Sequence, residues 1–580
     1  MKRIIVLLVS AVMLMSQPAL SATGKILKID FKTPVVERES DGFSLSSFSL
    51  SSIGNGSITL YELVRAIYKA AEDESVSMIY MTPSNLSAGM SHAEEIRAAL
   101  ESFRSSGKEI VAYCDNLSNV SYYLASVANK VILNPASENY LMGLGSQQYF
   151  LKDALDALGV EVQLIRHGKY KSAGEMFTRN DFSPENYEQY RVMITSLWNG
   201  MCDEIASSRN FTSDQFKGWI DDLSLVNPAA FKEKGLVDEL WYIDQVEDYF
   251  CEKEGKTPIK LVGFVPLKRY LAKVAKAQRK INRKNKKSAV AVIYANGEIV
   301  TSSSGINTSS DVIIGKKLAS VIAKVRKDDN IKAVVFRVNS PGGSVTASEL
   351  IKREIDLLKA SKPVVASYGD YAASGGYWIS AGCNRIFCDK TTLTGSIGCF
   401  SMVPNLGDAI RKKLRVNFGV VSSSKHSDMM SGMRHLDESE TAFLQTQIEE
   451  IYDNFTTIVS EGRSMDKDRV DEIGQGRVWA GTDALGIGLV DEIGDLYQAI
   501  KCAAETAELS DYALVEYPEV TPFSFMSLFS QPQDLDETVT SDSESAVSIM
   551  LDTKFPFVSA MFESKSPVMM ARLPYTISFN

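Results

Sequence analysis

The chain has 580 residues, of which 45% are hydrophobic and 23% charged, a globular composition in a chain too long for one core. Its formal net charge of −10 gives no reason to expect nucleic acid as a partner. Seven cysteines (Cys114, Cys202, Cys251, Cys383, Cys388, Cys399, Cys502) stand without Cys-x-x-Cys spacing, so they read as buried thiols and not as a disulfide framework or metal site.

The N-terminus opens with Lys2-Arg3, an apolar run from Ile4 to Met15, and Ser16 to Ala22 with small residues at Ala19 and Ser21. That is the pattern of a secretory signal cleaved after Ser21 or Ala22. The apolar run falls short of the roughly 20 residues that span a bilayer, and its alternative use is as an uncleaved anchor. Either way the chain is expected to be exported, in a periplasm-like space if the host is bacterial. Residues 23–255 alternate short apolar runs with amphipathic stretches such as His92 to Phe103, which predicts parallel strands joined by helices. Lys268 to Lys287 then carries ten Lys or Arg in twenty residues, read as a solvated linker over 256–287 or as a surface for anionic lipid head groups.

Residues 288–510 repeat the first unit. Gly235-Leu-Val-Asp-Glu-Leu240 recurs as Gly488-Leu-Val-Asp-Glu-Ile493, and Tyr122 to Val131 recurs in outline as Tyr377 to Ile386, at offsets of 253 and 255 residues. Within the second unit, Ala333 to Phe336 and Pro363 to Ser367 have the apolar content of buried parallel strands. Each is followed by a glycine turn: Asn339-Ser-Pro-Gly-Gly-Ser344 after the first, and Ser374-Gly375-Gly376 after the second. Glycines at strand ends let main-chain N–H groups approach a ligand, and a helix starting after Ser374 aims its free N–H groups at developing negative charge. The pair of turns therefore reads as a nucleophile with its oxyanion hole. At the 255 offset Ser374 falls opposite Asn119, and Gly342-Gly343 opposite Ser87-Ala88, so the first unit lacks both features. The tail, 511–580, holds an acidic, Ser-rich linker at Gln531 to Ser545 between the apolar stretches Phe523 to Phe529 and Phe555 to Phe562.

The segments Val338 to Glu349, Ala372 to Ser380, Thr392 to Gly398 and Gly476 to Ala484, in this order, resemble the long, tandem-repeat form of the signal peptide peptidase A family, within the ClpP/crotonase-like superfamily. The resemblance covers about residues 25–510 and implies an α/β fold of two tandem ClpP/crotonase-like repeats. It implies a serine peptidase with a Ser–Lys dyad, needing no metal or organic cofactor, that degrades cleaved signal peptides and other apolar peptides. The family's lysine motif matches Gly168-Lys-Tyr-Lys-Ser-Ala173, so the general base carries over to Lys171 and the nucleophile to Ser374. By the same resemblance Gly343 and Gly375 supply the oxyanion hole, and Ser396 orients the lysine. The family also implies a ring-like homo-oligomer, a tetramer, and a membrane association. Chemistry agrees with the dyad: a lysine accepts a proton at pH 7 only where burial or positive charge disfavours its ammonium form.

Other readings are weaker. The four histidines, His92, His167, His426 and His435, stand in no recognisable triad context. Lys425 lies close to the second-unit position equivalent to Lys171 and is the alternative base. A crotonase-type acyl-thioester enzyme shares the fold but needs an intracellular cofactor, against the secretory signal. A catalytically silent peptide-binding scaffold would have no use for an intact Ser374 and Lys171.

Overall fold

The computed structural model of the chain describes residues 25–38, 57–302, 312–519 and 570–572. The signal segment 1–22 and the tail features from Phe523 to Phe562 lie outside the described residues.

The first unit contributes β1 (Lys25–Ile29), β2 (Val76–Met81), β3 (Glu109–Cys114), β4 (Lys130–Leu133), β5 (Glu161–His167), β6 (Glu239–Leu240) and β7 (Phe264–Pro266). All but β5 form a parallel sheet in the order β6-β4-β3-β2-β1-β7. Helices α1 (Leu60–Glu72), α2 (Met90–Ser105), α3 (Asn119–Ala125) and α4 (Pro184–Ser208) connect and cover the strands. The start of α1 is set by Thr59, whose hydroxyl accepts from Glu62 N at 3.3 Å, and Leu60, Leu63, Val64 and Ile67 bury one face at helical spacing. Within 256–287, β7 pairs with β1, and α5 (Leu267–Lys284) buries Leu267 and Tyr270 in the first core.

The second unit contributes β8 (Ala289–Asn296), β9 (Glu298–Val300), β10 (Val312–Ile314), β11 (Ile331–Ser340), β12 (Gly342–Ser344), β13 (Val364–Ala373), β14 (Arg385–Cys388), β15 (Leu393–Gly395), β16 (Cys399–Asn405), β17 (Val478–Ala480), β18 (Glu492–Ile493) and β19 (Ala513–Tyr517). Strands β18, β14, β13, β11, β8 and β19 lie side by side in parallel, the same order as in the first sheet, with β15 and β17 extending the far end of β13. Because both faces are covered, the stretches of β11 and β13 that pair through residues 334–336 and 364–366 are apolar; Val334 pairs with Val364 and Phe336 with Ala366, all fully buried. Helices α6 (Val345–Lys359), α7 (Gly375–Trp378) and α8 (Glu438–Arg463) complete the unit, and the α/β pair of tandem repeats expected from the sequence is present.

A third sheet ties the units together. Its order is β10-β9-β12-β20-β16-β5, where β20 is Met570–Arg572. Strand β5 leaves its own unit and runs antiparallel to β16 over seven pairs, from Glu161 opposite Asn405 to His167 opposite Cys399.

A buried ionic cluster holds the same interface from the other side. Arg337 on β11 reaches both oxygens of Glu37 at 2.6 and 3.1 Å and Glu95 of α2 at 2.7 Å. His92 of α2 lies 2.9 Å from Glu37, and Ser91 N donates to Asp370 at 3.0 Å. Burial raises the Glu37 carboxyl, but Arg337 and His92 outweigh it and hold the group well below the usual carboxylate range. Burial opposes the charge on His92 too, yet Asp370 and Glu37 raise it to about 9. Charges of both signs thus cross between the units: Glu37 and Glu95 of the first face Arg337 of the second, and His92 of the first faces Asp370 of the second. Arg337→Ala leaves Glu95 without its cation and Glu37 with His92 alone, and urea unfolding is expected to record a loss of about 3–5 kcal/mol. Arg385→Ala, which breaks the half-exposed pair with Glu492, is expected to cost less than about 1 kcal/mol.

Candidate active site

Strand β13 ends at Ala373, and Ser374 follows in a conformation that few side-chain-bearing residues adopt, φ 55° and ψ −114°. Such a backbone costs about 1–3 kcal/mol and persists only where its surroundings fix it. Here Ser374 N donates to Gly395 O at 2.8 Å, and Trp378 N donates back to Ser374 O at 2.8 Å to open α7. The side chain is fully buried. The first turn of α7 leaves the N–H groups of Gly375 and Gly376 without intrahelical acceptors. At Gly376 a Cβ would come within 2.7 Å of Ser340 O, so the glycine lets the 340–344 turn pack against the start of α7. Gly343 has φ +153° and no room for a side chain against the Ile299 carbonyl.

The pairing of β5 with β16 delivers the lysine. Because His167 stands opposite Cys399, the residues after β5 lie beside those before β16, and Lys171 meets Ser396. Its Nζ lies 2.7 Å from Ser374 Oγ, 2.9 Å from Ser396 Oγ and 3.1 Å from Ser396 O. All three partners are oxygens and none is a carboxylate, and Ser374 Oγ itself donates to Gly398 O at 3.5 Å. Lys171 is fully buried, and burial lowers its pKa to about 7.

The lysine's backbone is fixed from both units. Arg166 donates to Lys171 O at 2.8 Å, and Tyr170 N donates to Gln475 O at 2.9 Å. Gln189 of α4 donates to Tyr170 O at 3.0 Å and accepts from Val478 N at 3.3 Å. Two glycines wall the aliphatic stem. A Cβ on Gly476, at φ +80°, would stand 2.6 Å from Lys171 Cβ, and one on Gly398 would stand 3.3 Å from Lys171 Cδ. In the sequence Gly476 stands only within a family motif; a positive-φ glycine against a buried lysine shows in the fold alone.

The other candidates fall elsewhere. Lys425 is exposed and stands 3.8 Å from Asp437. Each histidine pairs with a carboxylate: His92 with Glu37, His167 with Glu449, His426 with Glu440 and His435 with Glu161. Among the described residues the grouping with the geometry to hold a metal is His426, Asp437 and Glu440, where Glu440 already accepts from Arg434 at 2.7 and 2.8 Å.

Comparison with known proteins places these features in a family. A sequence model of peptidase family S49 matches residues 102–255 and 356–510, one stretch in each unit. Protease 4 of Haemophilus influenzae is 34% identical over 457 residues, covering 77% of this chain and 73% of that protein. Protease 4 of Salmonella typhi is 34% identical over 517 residues, covering 86% and 81%. The chloroplastic serine protease SPPA of Arabidopsis thaliana is 32% identical over 464 residues, covering 80% and 68%.

Gly476→Ala should displace Lys171 without touching Ser374. A shift of about 1 Å at a reacting group costs about 100-fold, so fluorophosphonate labelling of Ser374 is expected to slow by about that factor. Gly486→Ala, with nothing within 4 Å of its new Cβ, is the control and should label at the parent rate.

Proposed function

The chain belongs to peptidase family S49, and from that membership we propose that this serine peptidase works as an endopeptidase with a Ser374–Lys171 dyad assembled from its two units. The observation that carries the reading is the 2.7 Å approach of a buried, charge-depleted Lys171 Nζ to Ser374 Oγ. As the Ser374 hydroxyl attacks a peptide carbonyl, its proton passes to Lys171. The carbonyl oxygen gains negative charge and is received by the N–H groups of Gly343 and Gly375. Collapse breaks the C–N bond, Lys171 returns the proton to the leaving amine, and an ester on Ser374 remains. Water, deprotonated by Lys171, hydrolyses that ester and regenerates both groups. Ser396 holds the lysine's two N–H groups so that the lone pair stays on the serine.

The substrate is an extended apolar peptide, such as a cleaved signal peptide. Support for the extended form comes from the third sheet, where β20 lies antiparallel to Gly342–Ser344 with Ala571 opposite Gly343. A peptide strand in that slot would run past Ser374 and would displace residues 570–572. The protein is exported and acts on the periplasmic side of the inner membrane, held by its N-terminal segment or peripherally, with the cationic α5 available to anionic head groups. Among the described residues no helix is long and apolar enough to cross a membrane. The protein is a homo-oligomer, a tetramer by family resemblance, whose enclosure keeps folded proteins from the site.

The test is kcat/KM on a Leu- and Ala-rich fluorogenic peptide. Ser374→Ala, Lys171→Ala and Lys171→Arg should each lose about 10⁴-fold or more, Arg because it keeps a charge that is not given up. Lys425→Ala should retain most of the rate. Near-parental activity in Lys171→Arg would remove the lysine base from the mechanism.

A further inference from the structure

The strand that presents Ser374 is broken just before it. Strands β11 and β13 keep step from Val334 opposite Val364 to Val338 opposite Tyr368, and the next pair is Ser340 opposite Ala372. Over that interval β11 advances two residues and β13 four, so residues 369–371 form a bulge. The bulge is also where β13 changes partners. Before it, Val365 to Ser367 lie beside β14; after it, Tyr371 to Ala373 lie beside β15. Strand β15 is the one whose last residue, Gly395, accepts from Ser374 N and leads into Ser396. Residues 369–371 are therefore the joint between the packed sheet and the reacting end of the strand.

Two of the three are held within the second unit: Thr392 donates to Gly369 O at 2.8 Å, and Tyr371 N donates to Asn339 Oδ1 at 3.1 Å. Asp370, between them, is held by the first unit. Its carboxylate accepts from Ser91 N at 3.0 Å, stands 3.9 Å from His92, and lies against Gly89, where a Cβ would overlap it. The repeat shows how the contact arises. At the 255 offset Gly89 is the counterpart of Ser344, whose hydroxyl caps α6 by accepting from Ala347 N at 3.3 Å. Gly89 precedes α2 with no side chain to offer, so α2 has no cap from its own unit. The second unit supplies one. The space left by the missing side chain admits the Asp370 carboxylate to the free N–H groups of the first turn, where negative charge is favoured.

We infer that Asp370 is a positioning residue for the nucleophile: by capping α2 it ties the bulge in β13, and with it the aim of Ser374, to the first unit. The inference rests on the peptidase reading above and adds that the first unit fixes the serine as well as supplying the lysine. Ser374, four residues on at φ 55°, keeps its strained backbone only where the strand before it is fixed. Bulges beside reacting groups re-aim a side chain, and a displacement of about 1 Å there costs about 100-fold.

The experiment is fluorophosphonate labelling of the full-length protein, with rate constant and final extent recorded separately, beside kcat and KM on the apolar fluorogenic peptide. Asp370→Ala should lower the labelling rate constant and kcat about 10- to 100-fold. KM, the final extent and the pH midpoint of labelling should stay as in the parent, because the lysine and its burial are untouched. Asp370→Asn keeps an acceptor for Ser91 N and should label within about threefold of the parent. The decisive variant is Asp370→Ala with Gly89→Ser, in which the carboxylate that crowds residue 89 is gone and the new hydroxyl caps α2 from its own unit. Its resistance to urea should return to that of the parent while labelling stays slow. Parental labelling in Asp370→Ala, or its return in the double variant, would show that the carboxylate only caps a helix, and the inference would fail. A reduced final extent at a parental rate constant would mean partial unfolding and would overturn it as well. If the parent itself leaves Ser374 unlabelled, the peptidase reading falls and this inference with it; a parent that labels beside an unaffected Asp370→Ala removes the inference alone.

Discussion

An amine sealed from water without a carboxylate beside it governs the rest of the site. A lysine ordinarily titrates near 10.4, and the usual way to bury one is to pair it with an acid, which would fix its charge. Lys171 is given a carbonyl and two hydroxyls instead, so burial outweighs the opposing influence of Cys399 and the neutral form becomes available near pH 7. Fewer protons are bound in the folded state than in the unfolded one between the folded and the ordinary lysine pKa. By linkage this group's contribution to stability rises with pH through that window and is least favourable below it. The fold tolerates that cost because other contacts hold the interface shut.

Those contacts act on opposite sides of the same junction. The seven-pair ladder between β5 and β16 sets where the lysine arrives, to within the register of a strand. The Arg337 cluster clamps α2 to β11, and Asp370 in β13 accepts from Ser91 only four residues before Ser374. A strained serine and a displaced lysine would each be easy to relax in isolation. Bound between two units, neither has room to move, which is the condition under which strain at a reacting group can persist.

Much of this was legible in the chain. The two glycine turns marked strand ends, and the apolar runs before them needed no tertiary information. The repeat was visible from Gly235 to Leu240 and its copy, so two parallel sheets of like order could be expected. Lys171 was singled out only by resemblance, since a lysine in a polar stretch carries no local sign that it will be buried. The linking contacts were illegible for the same reason. Glu37, His92 and Glu95 read as ordinary charged residues until Arg337 is placed among them, and β5 reads as a strand of its own unit. Pairing across units is decided by which edge remains free once each sheet has formed, and no short stretch of sequence records that. The basic stretch read as a linker shows the converse case: its charges are conspicuous, while Leu267 and Tyr270, which seat α5 on the first core, are not.

The most direct test of the cross-unit dyad is the pH dependence of fluorophosphonate labelling at Ser374 in the full-length protein. Only the deprotonated lysine can take the serine proton, so the rate should climb through a single ionisation near pH 7 and stay level above about pH 9, as the lowered pKa of Lys171 requires. A rate that keeps rising about tenfold per pH unit to pH 10 would mean an ordinary lysine or hydroxide ion as the base, and would contradict the account.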